Sequence, residues 1–189
     1  MAEWKVWGFT AVIYRKHDYF MFFMGLISLI PQVIILGFIA SDITKIHRPF
    51  LVLQLGMAIN EAINFAVKEL VREGRPVHSS PIAMRDDYGM PSSHSQFMFF
   101  LATRTTLLFW SQPSRRNFTR SCTLFLLAAA VSYSRIINEH HFIEQVVVGA
   151  VVGTLLGFAL STKGLCRLQQ RCVVFFVEPV VVRVQSLFV

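Results

Sequence analysis

From Tyr19 to Ala40 the chain runs without a charged side chain, and only Pro31 interrupts the apolar pattern. About 20 mostly apolar residues suffice for a helix to cross a bilayer, and membrane helices tolerate such a proline. This stretch therefore points to a fold whose solvent is lipid. The whole sequence agrees: 189 residues that are 54% hydrophobic and 15% charged are too apolar and too blocky for an ordinary soluble domain. The run follows Lys5, Arg15 and Lys16, exceeds a signal-peptide core and precedes no small-residue cleavage site, so a retained helix is expected.

Four further apolar segments follow. Pro49 to about Val67 is less pure and carries Asn60, Glu61 and Asn64; Asn60, Asn64 and Lys68 are spaced to share one helical face. Polar groups inside a membrane usually face the bundle interior, so Glu61 and the two asparagines are expected to pack between helices. Gln96–Trp110, Cys122–Val131 and Val146–Leu160 complete the set, the first two extending through their polar flanks. Val71–Pro91, broken by Gly74, Pro76, Pro81 and Gly89, reads as a long loop at the membrane surface. Beyond Lys163 the tail mixes basic residues with the apolar run Val173–Val177, as in a partial or interfacial helix. The expectation is one all-α domain, 1–189, a polytopic bundle of about four to six membrane helices with its core at about 49–162 and a tail at 163–189.

The formal charge of +7 does not indicate nucleic acid, because the basic residues are scattered between hydrophobic blocks. Membrane topology and an anionic substrate account for them better. Cys122, Cys166 and Cys172 have neither metal-ligand spacing nor a paired framework. Asp86 and Asp87 are neighbouring loop acids without further ligands, so neither a metal nor a cofactor is expected. Arg104 falls inside the third segment, where snorkelling or a salt bridge with Glu61 is the simplest role and contact with a diphosphate the alternative.

The remaining polar residues form three clusters. Lys68 and Arg75–Pro76 flank the exit of the second segment, Pro91-Ser92-Ser93-His94 precedes the third, and Ser134, Arg135 and His141 lie between the fourth and fifth. One crossing per segment puts all three on the same membrane side. Backbone N–H groups at the start of the third helix would also face an anion there. Phosphoryl transfer needs cationic donors placed in advance around the equatorial oxygens. One histidine can attack phosphorus and another can protonate the leaving oxygen.

Lys68 with Arg75-Pro76, the tetrad Pro91–His94, and Ser134-Arg135 with His141 resemble the three-part signature of the type 2 phosphatidic acid phosphatases. The resemblance runs from about residue 49 to 162. Gly89-Met90-Pro91-Ser92-Ser93-His94-Ser95-Gln96, and Gln145 four residues after His141, look most like the dolichyl diphosphatase branch; the wider family usually has Gly at the position of Ser93 and Asp at that of Gln145. The resemblance implies a haloperoxidase-like helical fold in which His141 attacks the terminal phosphorus and forms a phosphohistidine. His94 would protonate the leaving lipid phosphate and then activate water, while Lys68, Arg75, Arg135, Ser92 and Ser93 hold the phosphate oxygens. Gln145 can orient the His141 ring but supplies no charge, and Glu144 is a candidate source of it. A shifted pairing, His140 with Glu144, restores the acid at four residues but shortens the spacing from Arg135.

The substrate so implied is dolichyl diphosphate, cleaved to dolichyl phosphate and phosphate to recycle the carrier for N-glycosylation. A relative acting on phosphatidate, a sphingoid phosphate or undecaprenyl diphosphate, and a catalytically silent membrane scaffold, are the alternatives. With five crossings, and with Lys68, Arg75 and Arg135 set aside, five Lys and Arg residues fall on the motif side and nine on the other. The positive-inside rule then expects a multi-pass protein of the endoplasmic reticulum membrane with its site in the lumen. The sequon Asn117-Phe118-Thr119 lies on the opposite side and is expected to stay unmodified.

Overall fold

The computed structural model describes residues 4–7, 12–44, 47–76, 88–110 and 114–186. Residues 77–87, and with them Arg85, Asp86 and Asp87, lie outside the described residues, as does Lys45. The chain is a helical bundle preceded by a short antiparallel hairpin, β1 (Trp4–Trp7) and β2 (Val12–Arg15), with Trp4 opposite Arg15. The sequence reading did not anticipate this hairpin.

The first apolar run forms two helices rather than one, α1 (Tyr19–Ile27) and α2 (Ile30–Thr44). Asp18 caps α1 by accepting from the Met21 amide at 2.8 Å. Pro31 accounts for the division: it has no N–H to give the previous turn, and it sits here in the first turn of the new helix, where that N–H is not needed. Together the two helices still supply an apolar span, Tyr19–Asp42.

Helix α3 (Arg48–Val71) starts on Pro49 and stops at Arg72, whose left-handed backbone (φ 52°) turns the chain towards Arg75. Helix α4 (Ser93–Trp110) is the centre of the bundle, with Gln96, Phe97, Met98, Phe100, Leu101 and Arg104 all buried. Helices α5 (Arg115–Ile137) and α6 (Ile143–Ser161) pack against it. Leu53, Met57, Phe97, Phe100, Leu101, Ala128, Val131 and Leu160 form the main apolar core. Outward-facing Phe23, Leu36, Phe118, Leu126 and Leu155 leave an apolar exterior suited to lipid.

Among the described residues, four helical stretches are long and apolar enough to cross a membrane: Tyr19–Asp42, Arg48–Val71, Arg115–Ile137 and Ile143–Ser161. The 18 residues of α4 connect the same two ends from inside the bundle, where polar residues can find protein partners. The protein is thus a multi-pass membrane bundle.

Gly149, Gly153 and Gly157 recur every four residues on α6 and face α4. A Cβ at these positions would lie 2.7 Å from the Ser92 carbonyl oxygen, 2.2 Å from that of Gln96 and 2.8 Å from Thr103 Cβ. The two backbones therefore approach as closely as helices can, the usual use of small residues between membrane helices. Ser132 Oγ donates to Ser95 Oγ (3.0 Å), which donates to the Val146 carbonyl (2.8 Å), tying α5, α4 and α6 together.

The tail is a continuous helical segment: α7 (Lys163–Cys172), a π-helical turn (Val173–Val177) and α8 (Glu178–Gln185). It packs on the ends of α2 and α3 away from the three motifs. Gln185 donates to the Asp42 carbonyl at 2.6 Å, and Arg48 pairs with Glu178 at 3.0 Å.

Candidate active site

Five chain segments meet at one end of the bundle. Between α5 and α6 the Arg135 carbonyl accepts from the amides of His140 (3.0 Å) and His141 (3.3 Å), while Glu139 takes a left-handed conformation (φ 56°). This tight turn delivers His141, 3% exposed, to the start of α6. There Gln145 Oε1 lies 3.0 Å from His141 Nδ1 and 3.3 Å from the Phe142 amide.

The orientation of the Gln145 amide is determined by its other end, because Nε2 faces two acceptors, Glu73 Oε1 at 2.6 Å and the Gly74 carbonyl at 2.8 Å. Its oxygen must then point at the ring. An amide oxygen only accepts, so His141 carries its proton on Nδ1 and its lone pair on Nε2. That lone pair points at Arg75, whose Nη1 lies 3.1 Å from Nε2 and 3.1 Å from the His140 carbonyl.

Electrostatics keep this ring neutral. Burial lowers the His141 pKa to about 2, with Arg75 and Arg135 and more weakly Lys68 acting in the same direction, while the Gln145 hydrogen bond opposes them. The sign is the one a nucleophile requires, since protonation would consume its lone pair. An ordinary imidazole passes from neutral to protonated between about pH 8 and about pH 5. In a titration of ¹⁵N-histidine-labelled protein in micelles, the His141 ring is expected to show no such step. A protonation midpoint near the ordinary value would contradict this burial and charge arrangement.

Arg75, Arg135 and Lys68 all lie close enough to His141 for their charges to act on its ring. Lys68 is buried on α3 and donates to the Tyr88 carbonyl at 2.6 Å; Arg135 is buried in the last turn of α5. The Ser92 amide donates to the Gln145 carbonyl at 3.0 Å, and its fully buried hydroxyl has no hydrogen-bond partner among the described residues. Ser93 Oγ donates to Asn64 Oδ1 at 2.8 Å, so this hydroxyl fastens α4 to α3. His94, in the first turn of α4, is held by a residue that the sequence reading passed over. Gln32 turns its amide N–H groups to the carbonyls of Ser28 (3.2 Å) and Leu29 (3.0 Å) and its oxygen to His94 Nε2 (3.2 Å).

Asn60 and Asn64 share a buried face as expected and are joined by Gln96, which accepts from Asn64 at 2.8 Å and donates to the Asn60 carbonyl at 2.9 Å. The expectation for Glu61 is corrected. One residue along a helix is a turn of about 100°, and this carboxylate sits on the outer side of α3. Arg104 is corrected with it: its Nη2 donates to Gln169 Oε1 of the tail at 2.5 Å. It lies eleven residues, or about 16 Å, along α4 from Ser93, near the end opposite the three motifs. Glu144 is exposed, so the carboxylate in contact with Gln145 is that of Glu73. The direct Nδ1 contact belongs to His141 and Gln145, not to His140 and Glu144.

Gly89 makes room for this arrangement. Its amide donates to the Glu73 carbonyl at 2.7 Å, and a Cβ there would fall 2.5 Å from Gln145 Oε1.

Two histidines and three cations converging at one end of a membrane bundle define a site suited to phosphoryl transfer on a lipid-borne substrate. Residues 22–164 match the family model described as the PAP2 superfamily, and the chain belongs to that family of membrane lipid phosphatases. Dolichyldiphosphatase 1 of Callithrix jacchus is 34% identical over 168 residues, covering 84% of this chain and 71% of the relative. Dolichyldiphosphatase 1 of Dictyostelium discoideum is 35% identical over 154 residues, covering 79% and 67%. Among solved structures, a transmembrane PAP2-type phosphatidylglycerolphosphate phosphatase from Bacillus subtilis superposes with a TM-score of 0.66 at 18% identity, over 77% of this chain and 76% of that one. That likeness concerns the fold.

Proposed function

We propose that this protein removes the terminal phosphate of dolichyl diphosphate. The observation that carries the reading is the His141 ring, neutral and buried, oriented by Gln145 so that its Nε2 lone pair points into the cationic cluster. The likeness to dolichyldiphosphatases supplies the lipid.

In this mechanism His141 Nε2 attacks the terminal phosphorus and the bond from phosphorus to the bridging oxygen breaks. The electron pair leaves on dolichyl phosphate, which His94 protonates. His94 then takes a proton from water, whose oxygen attacks the phosphohistidine; phosphate leaves and the His141 lone pair is restored. Lys68, Arg75 and Arg135, with the Ser92 hydroxyl, the Ser93 backbone amide and nearby backbone amides, stabilise charge on the transferring group, while the Ser93 hydroxyl stays on Asn64. No cofactor enters these steps.

The excess of Lys and Arg in the segments assigned to the other end of the bundle supports a site facing the lumen of the endoplasmic reticulum. Dolichyl phosphate released there would return to the carrier cycle for N-glycosylation. An unglycosylated Asn117 is required by this orientation.

Purified protein assayed against dolichyl diphosphate, dolichyl phosphate, phosphatidate, a sphingoid phosphate and undecaprenyl diphosphate, with chelator present, tests the proposal. The expected result is preference for the dolichyl diphosphate and activity unaffected by chelation. Preference for a monophosphate would reject the substrate, loss of activity in chelator would reject the mechanism, and inactivity on every lipid would favour the scaffold alternative.

A further inference from the structure

A buried histidine that becomes positively charged when it bonds to phosphorus needs a negative partner on its far side. Three cations already surround His141, so this need is acute. In a hydrolase triad a carboxylate touches the ring directly and both orients it and stabilises its charge. Here the group touching Nδ1 is the neutral amide of Gln145. The described carboxylates nearest in sequence are otherwise placed, Glu144 exposed on α6 and Glu139 paired with Arg15.

We propose that Glu73 is the positioning residue for the His141 nucleophile, acting through Gln145 as a relay. The proposal rests on the phosphohistidine reading above and deepens it. Glu73 Oε1 accepts from Gln145 Nε2 at 2.6 Å, and Gln145 Oε1 accepts from His141 Nδ1 at 3.0 Å, so carboxylate, amide and ring form one hydrogen-bonded chain. An amide is polarisable along this direction. A carboxylate at its N–H₂ end draws electron density towards the oxygen and strengthens the bond to Nδ1–H, the cooperative behaviour of linked hydrogen bonds in a low-dielectric setting. As Nε2 bonds to phosphorus, the ring's positive charge is met by this polarised oxygen and, one amide further, by the Glu73 charge. The Nδ1 proton stays on the ring throughout.

The backbone supports the role. Arg72 turns the chain out of α3, and the Gly89 amide then holds the Glu73 carbonyl at 2.7 Å. Because that clasp uses only main-chain atoms, Glu73→Gln keeps it and alters only the charge.

The test is a two-residue exchange. Glu73→Gln is expected to lower kcat about 10- to 100-fold, the scale of losing the outer hydrogen-bond partner of a metal-bound histidine, with KM changed less than about two-fold. Gln145→Glu, which puts a carboxylate against the ring but also against Glu73, is expected to lose at least as much. The double variant, Glu73→Gln with Gln145→Glu, exchanges amide and carboxylate between the two positions and restores a donor–acceptor pair. It is expected to regain about ten-fold over Gln145→Glu, short of wild type because the Gly74 carbonyl loses its donor.

A structural role for Glu73 predicts no such recovery, and losses in the double variant that simply multiply would overturn the relay. Proton NMR supplies a readout free of substrate: the His141 Nδ1 proton is expected downfield in the wild type and to move upfield in Glu73→Gln. An unmoved resonance would equally overturn it. If the relay signatures hold while the wild type does not turn over dolichyl diphosphate, the substrate assignment fails and the relay stands.

Discussion

His141→Ala is expected to abolish phosphoenzyme formation and to lower kcat by about 10⁴-fold or more, the scale seen when a covalent nucleophile is removed. The magnitude follows from what would remain. Lys68, Arg75 and Arg135 would still gather the phosphate, so binding measured with a non-hydrolysable diphosphate lipid should persist while turnover does not. His94→Ala gives a different pattern, a loss of about 10²- to 10⁴-fold that shrinks when the leaving group is a good one, such as an aryl phosphate. Rapid quench with radiolabelled substrate separates the two variants. A labelled protein intermediate surviving in His141→Ala would remove His141 from the nucleophile's role.

The second large effect is on the fold. Gly153→Ala asks a methyl group to sit 2.2 Å from the Gln96 carbonyl oxygen, a main-chain atom that cannot move without moving α4. Overpacking of this kind costs upwards of about 3 kcal/mol. The thermal midpoint in detergent should fall well below wild type, or the protein should not be recovered folded. Gly37→Ala is the matched control, since nothing lies within 4 Å of a Cβ there. It should leave the midpoint unchanged or raise it slightly through helix propensity. Equal midpoints for the two variants would mean that α4 and α6 are not joined as described.

How much of this could be read from the sequence depended on whether the signal was local. Apolar runs are contiguous, so the membrane class and most of the helices were legible; so was the common face of Asn60, Asn64 and Lys68, a matter of four-residue spacing. The motif residues Lys68, Arg75, Ser92, Arg135 and His141 could be placed on one side simply by counting crossings.

What escaped notice depended on the path of the chain. Glu73 reads as one more solvated acid in a polar loop, and only the reversal at Arg72 and the clasp by Gly89 bring it to Gln145. Gln32 lies in an apolar run 62 residues from His94, and nothing in its own stretch of sequence points to that contact. Arg104 meets neither Glu61 nor the motif residues, because its partner, Gln169, arrives on a tail that folds back under the bundle. Glu61 was misplaced by a single helical step.

The seam of glycines between α4 and α6 also bears on how such a protein can diversify. His94 opens one of these helices and Gln145, with His141 just before it, opens the other. Their separation is therefore set by main-chain contact along the seam and not by the side chains that face lipid. Residues on the outer surface, such as Phe23, Leu36 and Leu155, can be exchanged without disturbing the separation of His94 from His141. Fit to the surrounding lipid and the spacing of the two histidines are carried by different parts of the same bundle.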